Sequence, residues 1–246
     1  MPVPIFDPAN YALSPYAGPP LVVALLLLAL GLLVLIREGG SRTGMLFFVL
    51  SLTISVWLAA SSVMYTAKDA GVALWWAKAA YLGTPFIPAA IYHFMVTVLR
   101  RASLRRRQVA AAWVASAAFC GLALLSDVLI TGVQRFWWGY YPQYGWGSLP
   151  FLAFFFGSMI AAFRMLWIEY RDTPSATHKR RQAVFMAAIG IGYLASVDFL
   201  AKFGLPLYPL GYLPLLGFAV AVAFATDRYR MIDLTPAFAA TQILNT

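Results

Sequence analysis

Long apolar runs separated by short polar stretches occupy most of this chain. A helix rises about 1.5 Å per residue, so roughly 20 apolar residues cross a hydrocarbon core about 30 Å thick. The runs at residues 21–36, 45–65, 73–99, 108–130, 149–170, 182–203 and 210–226 approach or reach that length, and Pro19 and Pro20 extend the first as helix starters. The pattern predicts an all-α polytopic membrane protein of seven transmembrane helices. Its parts are an extracytoplasmic segment at 1–20, the bundle at 21–226 and a cytoplasmic tail at 227–246.

What interrupts the runs is as informative as the runs. Ser51, Ser55, Ala59, Ala60, Ser61 and Ser62 give the second helix a surface that another helix can approach closely. Pro85 and Pro88 remove backbone donors in the middle of the third, which predicts a kink whose freed carbonyls need partners on neighbouring helices or in water. The last two runs form a hairpin turning at Gly204 to Pro209, with Gly211 beyond it. Asp198 and Lys202 stand four apart, on one face of a regular helix just before that turn. Each charge alone costs about 2.5 to 3.5 kcal/mol in hydrocarbon, so the two are expected to pair, face protein or reach water.

Composition agrees with the pattern. The chain is 62% hydrophobic and 11% charged, against about 25% charged in an ordinary soluble domain, and its mean hydropathy is +0.76. Little length remains for a soluble catalytic domain. The net charge of +9 would suggest nucleic acid in a soluble protein, but its placement points to the membrane. Of 18 basic residues only Lys68, Lys78, Arg135 and Lys202 fall on one side of the bundle, and the arginine-rich side is expected to be cytoplasmic and to meet anionic headgroups. The N-terminus is then outside, the C-terminus inside, and the location the bacterial plasma membrane. The first residues have neither a basic stretch nor a small-residue cleavage pattern, which argues against a cleaved signal peptide. Cys120 is alone and forbids an intrachain disulfide.

No HExxH, GxSxG, P-loop or CxxC pattern is present, so no enzyme and no cofactor is expected. His93, in the third run, reads first as an interhelical hydrogen-bonder, with no second ligand near it for a metal. Toward the outer face the polar inventory is richer: Lys78, Asp127, Asp198 and Lys202, with Trp75, Trp76, Tyr81, Tyr193, Tyr208 and Tyr212. The aromatic and glycine-rich stretch at 136–147, carrying Trp137 and Trp138, is expected to lie at headgroup level as a roof. Together these make a candidate pocket for a small amphipathic ligand.

Several motifs carry a family likeness: Tyr81, Gly83, Phe86, Pro88, His93 and Phe94 in the third run; WWGYYPQYG from Trp137 to Gly145; Asp198; GLPLYPLG from Gly204 to Gly211; and the exit from Arg228 through Arg230 to Pro236. Over nearly its whole length the chain resembles the N-terminal seven-helix sensor region of bacterial histidine kinases and related signalling proteins. That resemblance implies a non-enzymatic sensory module whose last helix leads toward a cytoplasmic signalling domain, or which works through contact with a membrane or cytoplasmic protein partner. Pro85, Pro88, His93, Gly204, Pro209, Gly211, Arg228 and Arg230 are then candidates for packing or coupling. The alternative is a structural or accessory subunit of a larger membrane assembly.

Overall fold

The computed structural model describes residues 5–229. Its helices are α1 (Gly18–Arg37), α2 (Arg42–Thr66), α3 (Ala70–Ala79), α4 (Phe86–Val98), α5 (Arg106–Leu125), α6 (Ser148–Asp172), α7 (Ala176–Tyr193) and α8 (Tyr212–Tyr229). Strands β1 (Ile130–Phe136) and β2 (Gly139–Tyr144) lie between α5 and α6, and a 3₁₀ segment, Leu194–Phe203, continues α7. Among the described residues, 6 helical stretches are long and apolar enough to cross a membrane, the third being α3 and α4 together and the sixth running into the 3₁₀ segment. Tyr212–Phe224 is a shorter apolar helix. The protein is a multi-pass membrane protein.

Local chemistry sets the helix ends. Ser41 Oγ accepts from Gly44 N at 3.0 Å to open α2, and Asp69 Oδ1 accepts from Gly71 N and Val72 N to open α3. The small residues of α2 do bring α1 close. Ser55 Oγ donates to Ala24 O at 2.8 Å and Ser62 Oγ to Ala17 O at 2.6 Å, so the two helices are joined by hydroxyls as well as by contact. Leu27, Phe47, Met95 and Phe151, from four different helices, are almost wholly buried at the centre of the bundle.

The expected break in the third span lies between the short 3₁₀ turn Ala80–Leu82 and α4. Gly83 is there because a side chain would drive into the Thr53 carbonyl of α2. Pro85 directly precedes α4 and Pro88 falls in its first turn, where an amide hydrogen would have no intrahelical acceptor. Ser116 Oγ on α5 donates to Pro85 O at 2.7 Å, and Thr84 Oγ1 donates to Ala80 O at 2.8 Å. Those hydroxyls hold the carbonyls near the break.

Three expectations are corrected. The chain is mostly but not purely helical: residues 130–144 form an antiparallel hairpin, with Phe136 opposite Gly139 across Trp137 and Trp138. Valine, tyrosine and phenylalanine favour a pleated strand, and Gly139 takes the φ of 137° that the turn demands. The fourth helix ends at Leu125, so Asp127 lies beyond it in the connection to β1. The sixth run is not one regular helix, because it tightens to 3₁₀ at Leu194.

Candidate functional site

That tightening decides the geometry around Asp198 and Lys202. At about 3.0 residues per turn, positions four apart are rotated by roughly a third of a turn and no longer share a face. The two side chains therefore diverge, and no direct ion pair joins them; this corrects the expectation of a pair along one helix face. Both are nonetheless almost fully buried, at 5% and 2% exposure.

Asp198 turns toward α8. Its Oδ1 accepts from Gly211 N at 2.7 Å, tying the 3₁₀ segment to the residue before that helix. A Cβ on residue 211 would sit 2.7 Å from Asp198 Cγ and 2.8 Å from Ala195 O, so only glycine lets the carboxylate reach the amide. Gly204, with φ of 90°, ends the 3₁₀ segment and starts the turn back.

Lys202 turns the other way. Its Nζ donates to Tyr81 Oη at 3.3 Å and to Tyr144 Oη at 3.4 Å, while Tyr81 Oη donates to Tyr144 Oη at 2.7 Å. The ammonium is 4.9 Å from the Phe199 ring centre. For the two tyrosines it lies nearer the hydroxyl than the ring centre, so hydrogen bonding dominates there and Phe199 supplies the aromatic contact. Burial pushes the Tyr144 phenol well above its ordinary value, so it stays a neutral dipole toward the ammonium.

The hairpin closes this node from above. Tyr141 Oη donates to Asp198 O at 3.2 Å, and Gln134 Nε2 donates to Ala201 O at 3.0 Å. Trp138 and Tyr141 are buried against Met64, Tyr65, Val72 and Ala73, and Gly139 lets the turn touch the Tyr65 backbone. Tyr208, in the turn after Gly204, packs on Tyr16, Trp137 and Trp138 and donates to Tyr16 O at 3.0 Å. The aromatic stretch is thus a roof over the node, as its composition suggested, but one made of strands and pinned by side chains.

The structure does not gather every candidate into one pocket. Lys78 pairs with Asp127 at 2.9 Å, apart from Lys202 and partly in the open. Trp75 is 41% exposed and stands edge-on to Trp76, whose Nε1 donates to Tyr11 Oη. Tyr193 donates to Met159 O at 3.1 Å, linking α7 to α6. His93 Nδ1 accepts from Trp113 Nε1 at 3.2 Å, the interhelical hydrogen bond expected of it. Pro209 is in the turn. Arg228 lies at the end of α8, while Arg230 and the motif onward to Pro236 lie outside the described residues.

Three residues central to the node, Tyr141, Tyr144 and Phe199, were not singled out from sequence. The signal for Tyr144 was present in the aromatic run; only the hairpin register shows that it comes over Tyr81.

The family model for the N-terminal 7TM region of histidine kinase matches residues 19–236. The chain belongs to this family. No curated protein matches it. The family is the sensor part of histidine kinases rather than their catalytic domain, and a membrane sensory module is the function it suggests. The matched span takes in every element of the node, from Tyr81 to Gly211.

Proposed function

We propose that this protein is a non-enzymatic sensory module of the bacterial plasma membrane. It crosses seven times, with α8 as the seventh span, the N-terminus outside and the C-terminus in the cytoplasm. It passes an outer-side or in-membrane stimulus to a cytoplasmic protein partner. The observation that carries this reading is the buried node that joins four parts of the chain. Asp198 holds Gly211 at the start of α8, Lys202 holds Tyr81 of the broken third span, and Tyr144 and Tyr141 hold the hairpin. A small amphipathic ligand bearing on the hairpin or on Tyr208 would act directly on the element that places α8. Coupling of this kind requires only that the stimulus favour one arrangement of the node over another.

The test joins the full chain to a histidine-kinase catalytic domain and reads autophosphorylation in membranes for wild type, Asp198→Asn and Lys202→Met. Output should shift at least several-fold in one variant at equal membrane abundance. Equal output in all three would sink the role of the node in signalling. For the topology, single cysteines at positions 11 and 245 in a Cys120→Ala background should label from opposite sides; labelling from one side would overturn it.

A further inference from the structure

The tight winding of Leu194–Phe203 persists for 10 residues, whereas 3₁₀ runs beyond about 3 to 4 residues are uncommon because their hydrogen-bond geometry is poorer. The sequence fits that winding. Every third residue from Leu194 to Phe203 is exposed, while Ala195, Asp198 and Ala201 form one inward row and Ser196, Phe199 and Lys202 another. It fits an α-helix equally well. At about 100° per residue, Ala195, Asp198, Ala201 and Lys202 would share an arc of about 120°, with Val197, Leu200 and Phe203 opposite. Neither proline nor glycine interrupts the segment. Two windings are open to it, and a 3₁₀ stretch within a longer helix is a common place for a hinge.

The two windings differ in where Lys202 points. In the 3₁₀ form Asp198 faces Gly211 and Lys202 faces Tyr81 and Tyr144, roughly a third of a turn away. Winding the turn from Asp198 to Lys202 into α removes about 20° per residue, so Lys202 swings by about 80° and comes within about 40° of Asp198. The same turn shortens by about 2 Å. The partners it leaves are not stranded. Tyr81 Oη already donates to Tyr144 Oη at 2.7 Å, and the Asp198 carboxylate, engaged by Gly211 N at Oδ1, has a second oxygen for the ammonium. An apolar cleft of about 50 Å³, lined in part by Ser196 and Phe199, leaves the Phe199 ring room to move. One set of contacts is exchanged for another: two neutral acceptors for one carboxylate, both in low dielectric.

We infer that the turn from Asp198 to Lys202 switches between this 3₁₀ form, with Lys202 on Tyr81 and Tyr144, and an α form in which Lys202 pairs with Asp198. Resting on the sensory reading above, the two forms are the two signalling arrangements of the node. In the α form the ammonium no longer ties the segment to the third span and the hairpin. Ala201 O turns with the winding and leaves Gln134 Nε2, so the hairpin loses a second hold. The shortened backbone draws on the turn at Gly204 that leads to α8. A stimulus that seats the hairpin favours the 3₁₀ form, and one that lifts it frees Lys202 for Asp198.

The experiment isotope-labels lysine Nζ and aspartate Cγ throughout the full chain, in an Asp127→Asn background that silences the Lys78 pair, and measures the nitrogen–carbon distance by solid-state NMR in lipid bilayers. The chain with its node intact should show no contact between Lys202 and Asp198. Tyr81→Phe combined with Tyr144→Phe removes the competing oxygens and should bring Lys202 Nζ within about 4 Å of the Asp198 carboxylate, the limit of an ion pair. Ser196→Ala with Val197→Ala leaves every bond of the node in place and raises helix propensity. It should move part of the population the same way, and is read beside the phenylalanine variant in whichever of the two keeps its unfolding temperature. An unchanged distance, long or short, in the folded variants would overturn the proposal. The kinase fusion carrying the same substitutions separates the two ideas. A new contact without a change in output sinks the signalling role and leaves the switch, and a change in output without the contact does the reverse.

Discussion

Lys78 and Lys202 both lie at the hairpin end of the bundle, and they are held in opposite ways. Lys78 has a carboxylate at 2.9 Å, but its partner Asp127 is 74% exposed and sits in the connection after α5. Lys202 has no carboxylate in contact and is almost wholly buried, with two phenol oxygens and an aromatic ring around its ammonium. An exposed pair gains little, because water already solvates both charges. A buried ammonium must replace its hydration shell with fixed dipoles, and those dipoles must come from several elements at once. The open pair therefore decorates the fold, whereas the buried lysine specifies how the break in the third span, the hairpin and the 3₁₀ segment at Leu194–Phe203 meet.

If that contrast is right, the largest loss should come from the other arm of the node. Gly211→Ala places a methyl against the Asp198 carboxyl and the Ala195 carbonyl, and should cost about 3 kcal/mol by overpacking. Thermal unfolding in detergent reads the loss. The double variant Gly211→Ala with Asp198→Ala should recover part of it, since one of the two obstructing groups is then gone; no recovery would show that the clash lies with the backbone alone.

Asp198→Ala by itself should cost about 2 kcal/mol, because the buried Gly211 amide loses its acceptor. Asp198→Asn keeps an acceptor oxygen and should lose less than half as much in the same unfolding assay. Equal losses would mean that the charge of Asp198 matters more than its bond to Gly211. Tyr144→Phe comes next. It removes the oxygen shared by Tyr81 and Lys202 but leaves Tyr81 within reach of the ammonium, so about 1 kcal/mol is expected.

The sequence shows the apolar spans plainly, since length and hydropathy determine them and no tertiary contact is needed. It also shows the break at Pro85 and the close approach along Ser55 and Ser62. The node was legible only as a set of residues. Its wiring depends on the switch to 3₁₀ at Leu194, and LASVDFLAKF carries no proline or glycine to announce it. The hairpin was more readable than its assignment to the headgroup layer allowed: TGVQRF and GYYPQY flank a two-residue turn followed by glycine. Tyr144 meets Tyr81 across 63 positions of sequence, a contact that no local pattern encodes.

The smallest effect is the one that sharpens the comparison most. A double-mutant cycle with Lys78→Ala and Asp127→Ala should give a coupling energy of about 0.5 kcal/mol or less, because Asp127 is largely solvated and the pair is screened. Raising the salt to roughly 0.5 M, where the Debye length falls well below 10 Å, should abolish what coupling there is. A parallel cycle on Lys202 and Tyr144 should give a larger value that salt leaves intact, since Lys202 is almost wholly buried and Tyr144 half-buried against it. Should the two cycles agree in size and in salt response, burial would not be what distinguishes these lysines, and the node would lose its claim to hold the start of α8 in place.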